Sequence, residues 1–164
     1  MKKFSAIITI MLLGLRFVQA QDAMPDITLY DINGNKVNLS DYANDGKIQI
    51  FSFWATWCVP CKEELNNIAE IYADWQKDYD VEIIAVSIDD AKTKANVKSY
   101  AEGQGWTYTV LLDTNKELHR LLSGQSVPYT VVTDKNGKIV EKHTGYIEGD
   151  EYVLEDQIKE LVKE

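Results

Sequence analysis

Cys58 and Cys61 are the only cysteines among the 164 residues, and they lie three positions apart in Trp57-Cys58-Val59-Pro60-Cys61. Two thiols this close can form a structural bridge, supply half of a metal site, or cycle between dithiol and disulfide in exchange with another molecule. A structural bridge over so short a loop contributes only about 2 kcal/mol on the chain-entropy formula, well below what a distant pair gives. A zinc site needs two further ligands, and the only histidines, His119 and His143, are too far apart in sequence to form a paired half-site. The redox reading fits the flanking residues best. An apolar run ends just before Cys58, and Pro60 suits the first turn of a helix. There the helix dipole and free backbone N–H groups favour a thiolate. Cys58 is then placed to attack a disulfide in another protein, and Cys61, one turn on, to resolve the mixed disulfide.

Two elements must hold this pair. Ile48-Gln-Ile-Phe-Ser-Phe-Trp54 reads as a central strand buried on both faces. From Pro60 to about Lys77 the apolar spacing becomes helical. At about 100° per residue from Cys61, the apolar positions Leu65, Ile68, Ile71, Tyr72 and Trp75 occupy an arc from about 280° through zero to about 40°. Glu64 falls near 300°, inside that arc, while Glu63 falls near 200° on the opposite face. A carboxylate on the buried side is costly unless paired or used, and its pKa should rise.

The rest of the chain alternates strands and helices. Asp26 to Leu39 reads as a hairpin turning at Asn33-Gly34, and Tyr129–Thr133 with Lys138–Lys142 as a second one turning at Asp134-Lys-Asn-Gly137. Neither Asp-x-Asn-Gly turn has the glutamate that closes a calcium loop. Strands are expected at Val81–Ile88 and Thr107–Leu112, and helices at Asp90–Glu102, Asn115–Leu122 and Asp150–Val162. The last of these should bury Val153, Leu154, Ile158, Leu161 and Val162 on one face. This order indicates an α/β fold around a mixed sheet.

The first twenty residues read as an address. Met1-Lys2-Lys3 is basic, Phe4 to Leu15 is almost wholly apolar, and Val18-Gln19-Ala20 supplies small residues for cleavage. Twelve apolar residues fall short of the roughly 20 that span a bilayer. The expected organisation is a signal peptide at 1–20 and one domain at 21–164, exported, soluble and not inserted in a membrane. No cysteine stands near residue 20 for lipid attachment. The net charge of the whole chain is −9. Three of the 17 basic residues and none of the 26 acidic ones precede residue 21, so residues 21–164 carry 14 against 26, a net −12. A surface of that sign repels phosphate backbones, which excludes nucleic acid as a partner.

With these motifs in order, the chain resembles the thioredoxin superfamily, specifically its exported TlpA/ResA-like thiol–disulfide oxidoreductases. The resemblance rests on Phe53 to Glu64 around the two cysteines and on the Met24-Pro25-Asp26 to Asp41-Tyr42 run before them. After them come Ser126-Val127-Pro128-Tyr129-Thr130 and Asp134 to Val140. It implies a thioredoxin-like fold with an N-terminal β-hairpin and an extra βα unit between Cys61 and Pro128. It implies that Cys58 attacks and Cys61 resolves, that the two form a disulfide, and that Glu64 moves protons to and from the buried cysteine. Pro128 would be a cis proline beside the pair, Val127 would offer backbone hydrogen bonds to substrate, and Trp57 would shield Cys58 and touch substrate. No cofactor or metal is implied. The partners would be a protein disulfide and a membrane-embedded thiol donor, and in this group the activity often serves cytochrome c maturation in the periplasm.

Many thioredoxins carry a buried Asp where this chain has Ser52, so a base role shifts toward Glu64. Val59-Pro60 brings no cation to stabilise a Cys58 thiolate, which favours a reductase over an oxidant. Two other classes stay open. A thiol peroxidase shares the N-terminal hairpin but carries Thr three residues before its reactive Cys, where Ala55 stands here. A Sco-type copper carrier spaces its cysteines more widely and would need His143 to reach them. His119 and His143 are otherwise expected to be structural or surface residues.

Overall fold

A computed structural model describes residues 23–42 and 45–163. The expected signal peptide therefore lies outside the described residues. Seven strands form one mixed sheet, β1 (Thr28–Asp31), β2 (Lys36–Asn38), β3 (Ile48–Trp54), β4 (Val81–Ser87), β5 (Thr109–Leu112), β6 (Tyr129–Thr133) and β7 (Ile139–Thr144), in the order β2-β1-β5-β4-β3-β6-β7. The helices are α1 (Val59–Tyr79), α2 (Ala95–Gln104), α3 (Glu117–Leu121) and α4 (Asp150–Val162). Strands β3, β4 and β5 run parallel, and β1, β2, β6 and β7 pair antiparallel around them. This is the expected thioredoxin-like α/β architecture, and β4-α2-β5-α3 occupies the interval between Cys61 and Pro128.

Strand β3 owes its position to its sequence, because every residue of it is buried and only a strand covered on both faces accommodates so apolar a run. The register of β3 with β6 sets Phe53 opposite Tyr129 and Ser52 opposite Thr130. Pro128 thereby arrives beside the end of β3, where the chain turns into α1. Gly34 at φ +88° closes the β1–β2 turn, and Asp31 Oδ1 accepts from the N–H groups of Asn33 and Asn35, both at 2.8 Å. Asp134 does the same for Asn136 and Lys138 at 2.9 Å, so both aspartates serve as turn-formers.

Two expectations are corrected. Helix α2 starts at Ala95 rather than Asp90, because the Asp90 carboxylate accepts from the N–H groups of Lys92 and Thr93 and forms a side-chain turn that competes with helix. In α4, Val153 is exposed and Glu151 is buried. Glu151 lies seven residues before Ile158, hence on the same stripe, whereas Val153 is rotated by about 200° from Glu151.

Candidate active site

The chain leaves β3 at Trp54, turns through Ala55 to Trp57, and enters α1 with Cys58 as its N-cap. Cys58 N–H donates to the carbonyl of Ala55 at 3.0 Å, and Cys58 Sγ accepts from Cys61 N–H at 3.3 Å. Pro60 occupies the first turn, where its missing N–H costs nothing. Cys58 and Cys61 are joined by a disulfide with their Cα atoms 5.4 Å apart. Cys61 is fully buried and Cys58 nearly so, while Trp57 is 56% exposed and Val59 57%. The sulfurs thus sit under an apolar rim.

One residue that the sequence did not single out, Asp89, holds this turn, and His119, expected to be structural or at the surface, is buried beside it. Asp89, at the end of β4 and buried, accepts from Thr56 N–H at 2.8 Å, Thr56 O–H at 2.6 Å and Ser87 O–H at 2.9 Å. Thr56 is thereby committed to Asp89. His119 on α3 packs its ring against Phe53 and Tyr129, with Nε2 3.3 Å from the carbonyl of Ser126. The local signal for Asp89 is an Asp just after a strand end, whereas the burial of His119 depends on distant Phe53 and Tyr129.

The Val127–Pro128 bond is cis, as the resemblance implied. Trp57 and Val127 line one groove, so the turn before Cys58 and the loop before Pro128 face each other. Tyr129 O–H donates to the carbonyl of Leu122 at 2.7 Å and ties β6 back to α3.

Glu64, one turn after Cys61, is only 5% exposed. Its Oε1 accepts from Thr130 O–H at 2.9 Å, two residues beyond Pro128. Glu64 Oε2 and Ser52 Oγ are both buried with no hydrogen-bond partner within 3.5 Å, yet Ser52 lies near enough to the carboxyl to favour its charged form. Burial pushes the Glu64 carboxyl up to about 7; the Thr130 hydrogen bond pulls against that, and the charges of Asp150 and Glu151 add to it. Behind Glu64 a cavity of about 60 Å³ reaches His143, Tyr146, Asp150 and Glu151. Tyr146 O–H donates to Glu151 at 2.8 Å and accepts from Asn67 at 2.6 Å, joining α4 to α1. Burial and the Glu151 contact push Tyr146 up to about 12. His143 Nε2 lies 3.8 Å from Asp150 at the rim of this cavity.

The comparisons agree with this architecture. Residues 20–142 match the AhpC/TSA family. The thiol–disulfide oxidoreductase ResA of Geobacillus thermodenitrificans is 36% identical over 121 residues, 74% of this chain and 67% of that protein. An uncharacterized thioredoxin-like protein from Porphyromonas gingivalis is 46% identical with a TM-score of 0.76, covering 85% of this chain and 92% of that one. A structure titled as a thiol:disulfide interchange protein DsbE, from Chlorobium tepidum, is 30% identical with a TM-score of 0.75, covering 86% and 96%. With this chain's own disulfide-bonded Cys-x-x-Cys set at the strand–helix junction, the chain belongs to the AhpC/TSA family and is a thioredoxin-like thiol–disulfide oxidoreductase of the ResA type.

Proposed function

We propose that the protein reduces disulfides in other proteins outside the cytoplasm, with Cys58 as nucleophile, Cys61 as resolving thiol and Glu64 as proton carrier. The observation that carries this reading is the Cys58–Cys61 disulfide at the N-terminus of α1, with a buried carboxyl one turn behind it. In the dithiol form the Cys58 thiolate attacks one sulfur of the substrate disulfide. That bond breaks, a mixed disulfide forms, and the departing substrate thiolate takes a proton. Cys61 then gives its proton to the Glu64 carboxylate and attacks Cys58 Sγ. The second substrate thiolate leaves, and two electrons have passed to the substrate as the Cys58–Cys61 bond closes. A carboxyl near 7 can take and return a proton at neutral pH. The cavity behind it is roomy enough for water and connects it to the surface at His143 and Asp150. Trp57 covers the attacking sulfur, Val127 offers its backbone to the substrate chain, and cis Pro128 sets the strand beside it.

Regeneration requires a two-electron thiol donor, for which we propose a membrane-embedded dithiol protein. Export rests on the leader pattern of residues 1–20, leaving 21–164 as the working domain; among the described residues no helix is long and apolar enough to cross a membrane. Cytochrome c maturation is the process we propose for its substrate.

The direction is tested by the reduction potential of the Cys58–Cys61 couple, followed by tryptophan fluorescence in thiol buffers. A value near or below roughly −270 mV supports a reductase, and one near −120 mV reverses the direction.

A further inference from the structure

Beside the disulfide, a groove of about 460 Å³ is lined by Trp57 and Val127 together with Lys116 and Arg120 from the region of α3. On a chain of net charge −9, no carboxylate lines it. Of the acids on neighbouring segments, Asp89 and Asp113 are buried and turned inward, while Asp90 and Glu117 are exposed. Asp89 accepts from Thr56 and Ser87, and Asp113 from the N–H groups of Glu117 and His119 at 2.7 and 2.9 Å. Glu117 does not line the groove. Lys116 and Arg120 are both exposed, four positions apart, and neither joins an ion pair among the described residues. Arg120 Nη1 donates to the carbonyl of Asn115 at 2.7 Å, which orients the guanidinium and leaves its other donors for a ligand. Lys116 holds φ +55°, a conformation that a long side chain rarely adopts. The buried His119 ring, held between β3 and the carbonyl of Ser126, fixes the spacing between the cations and Val127.

We propose that this groove receives the substrate segment flanking the reactive disulfide, and that Lys116 and Arg120 select an Asp or Glu side chain there. The proposal rests on the disulfide-exchange reading and adds a substrate class to it. Trp57, Ile88 and Val127 supply an apolar wall, and a planar guanidinium with an ammonium beside it matches a carboxylate. The negative charge elsewhere opposes an acidic protein as a whole. At physiological salt that opposition fades beyond about 8 Å, so the sign that matters at contact is the groove's own.

The test uses disulfide-bonded peptides of one scaffold with Glu, Gln or Lys beside the cysteine, reduced by the dithiol protein. We expect the Glu peptide to react about tenfold faster than the Lys peptide at physiological salt, equivalent to about 1.4 kcal/mol. The ratio should fall toward one in 0.5 M salt, and also in Lys116→Asn/Arg120→Gln at physiological salt; asparagine tolerates the left-handed position. A ratio near one in the wild type, or one that survives both salt and substitution, overturns the groove assignment alone if the Gln peptide is still reduced. Failure to reduce the Gln peptide overturns the exchange reading and this proposal with it. The salt arm needs only wild-type protein, so a misfolded variant leaves the test decisive.

Discussion

A carboxyl held near pKa 7 by burial binds its proton more tightly in the fold than in the unfolded chain, where Glu64 would titrate near 4.5. Below about pH 4.5 the group is neutral in both states and costs nothing. Between about 4.5 and 7 the unfolded chain loses the proton first, so stability falls as pH rises and stays lower above 7. The full cost is at most about 3 kcal/mol. We therefore expect urea unfolding of the oxidised protein to lose stability across that window, and Glu64→Gln to flatten the slope. A slope unchanged in the variant would assign the dependence to other groups. In exchange assays at pH 7, the same variant should slow the resolving step on the order of 100-fold while leaving the first attack closer to wild type; stopped-flow tryptophan fluorescence separates the two.

At the scale of elements, the redox turn depends on its anchors. Asp89 joins the end of β4 to Thr56 through two hydrogen bonds and takes a third from Ser87. Asp89→Ala strands these buried donors and should cost about 2–4 kcal/mol in chemical denaturation, with Asp89→Asn costing less. A loss under 1 kcal/mol would mean the turn is held elsewhere. The second anchor is steric. A Cβ on Gly124 would lie 2.3 Å from His119 Nε2, which sits in a buried ring rather than at the end of a flexible chain. Gly124→Ala should cost about 1–3 kcal/mol. In a His119→Ala background that cost should largely disappear, giving a coupling energy that a double-mutant cycle reads directly. Additive effects would separate the loop before Pro128 from α3.

For the molecule as a whole, the redox state of the cysteines and the stability of the fold are linked. The Cys58–Cys61 bond closes a very short loop, so it constrains the unfolded chain modestly and should leave the oxidised form more stable than the dithiol form by about 2 kcal/mol. Through the thermodynamic cycle that difference makes the folded couple more reducing than the unfolded one by about 40 mV. Paired urea titrations of the two forms check it. A dithiol form more stable than the disulfide form would assign the protein to oxidation.

The sequence alone determined what is local. The Cys-x-x-Cys pair, the uninterrupted apolar run of β3, the Asn33-Gly34 and Asn136-Gly137 turns and the helical arc containing Glu64 are each set by neighbours a few residues apart. Periodicity alone puts Glu64 on a buried face, whereas Val153, in an apolar cluster, points outward because the buried stripe of α4 runs through Glu151 and Ile158. Tertiary structure decided what depends on distant partners. Thr130 reaches Glu64 across 66 positions, and Asp89 reaches Thr56 across 33. His119 and Glu151 look like ordinary surface residues until β6 and α1 cover them. Nor could charge counting find the groove of Lys116 and Arg120, because a net charge of −9 describes the whole surface while a contact is decided within a few ångströms. Register and burial are properties of the closed sheet, and they placed a buried carboxyl one turn behind the disulfide and a cation-lined groove beside it.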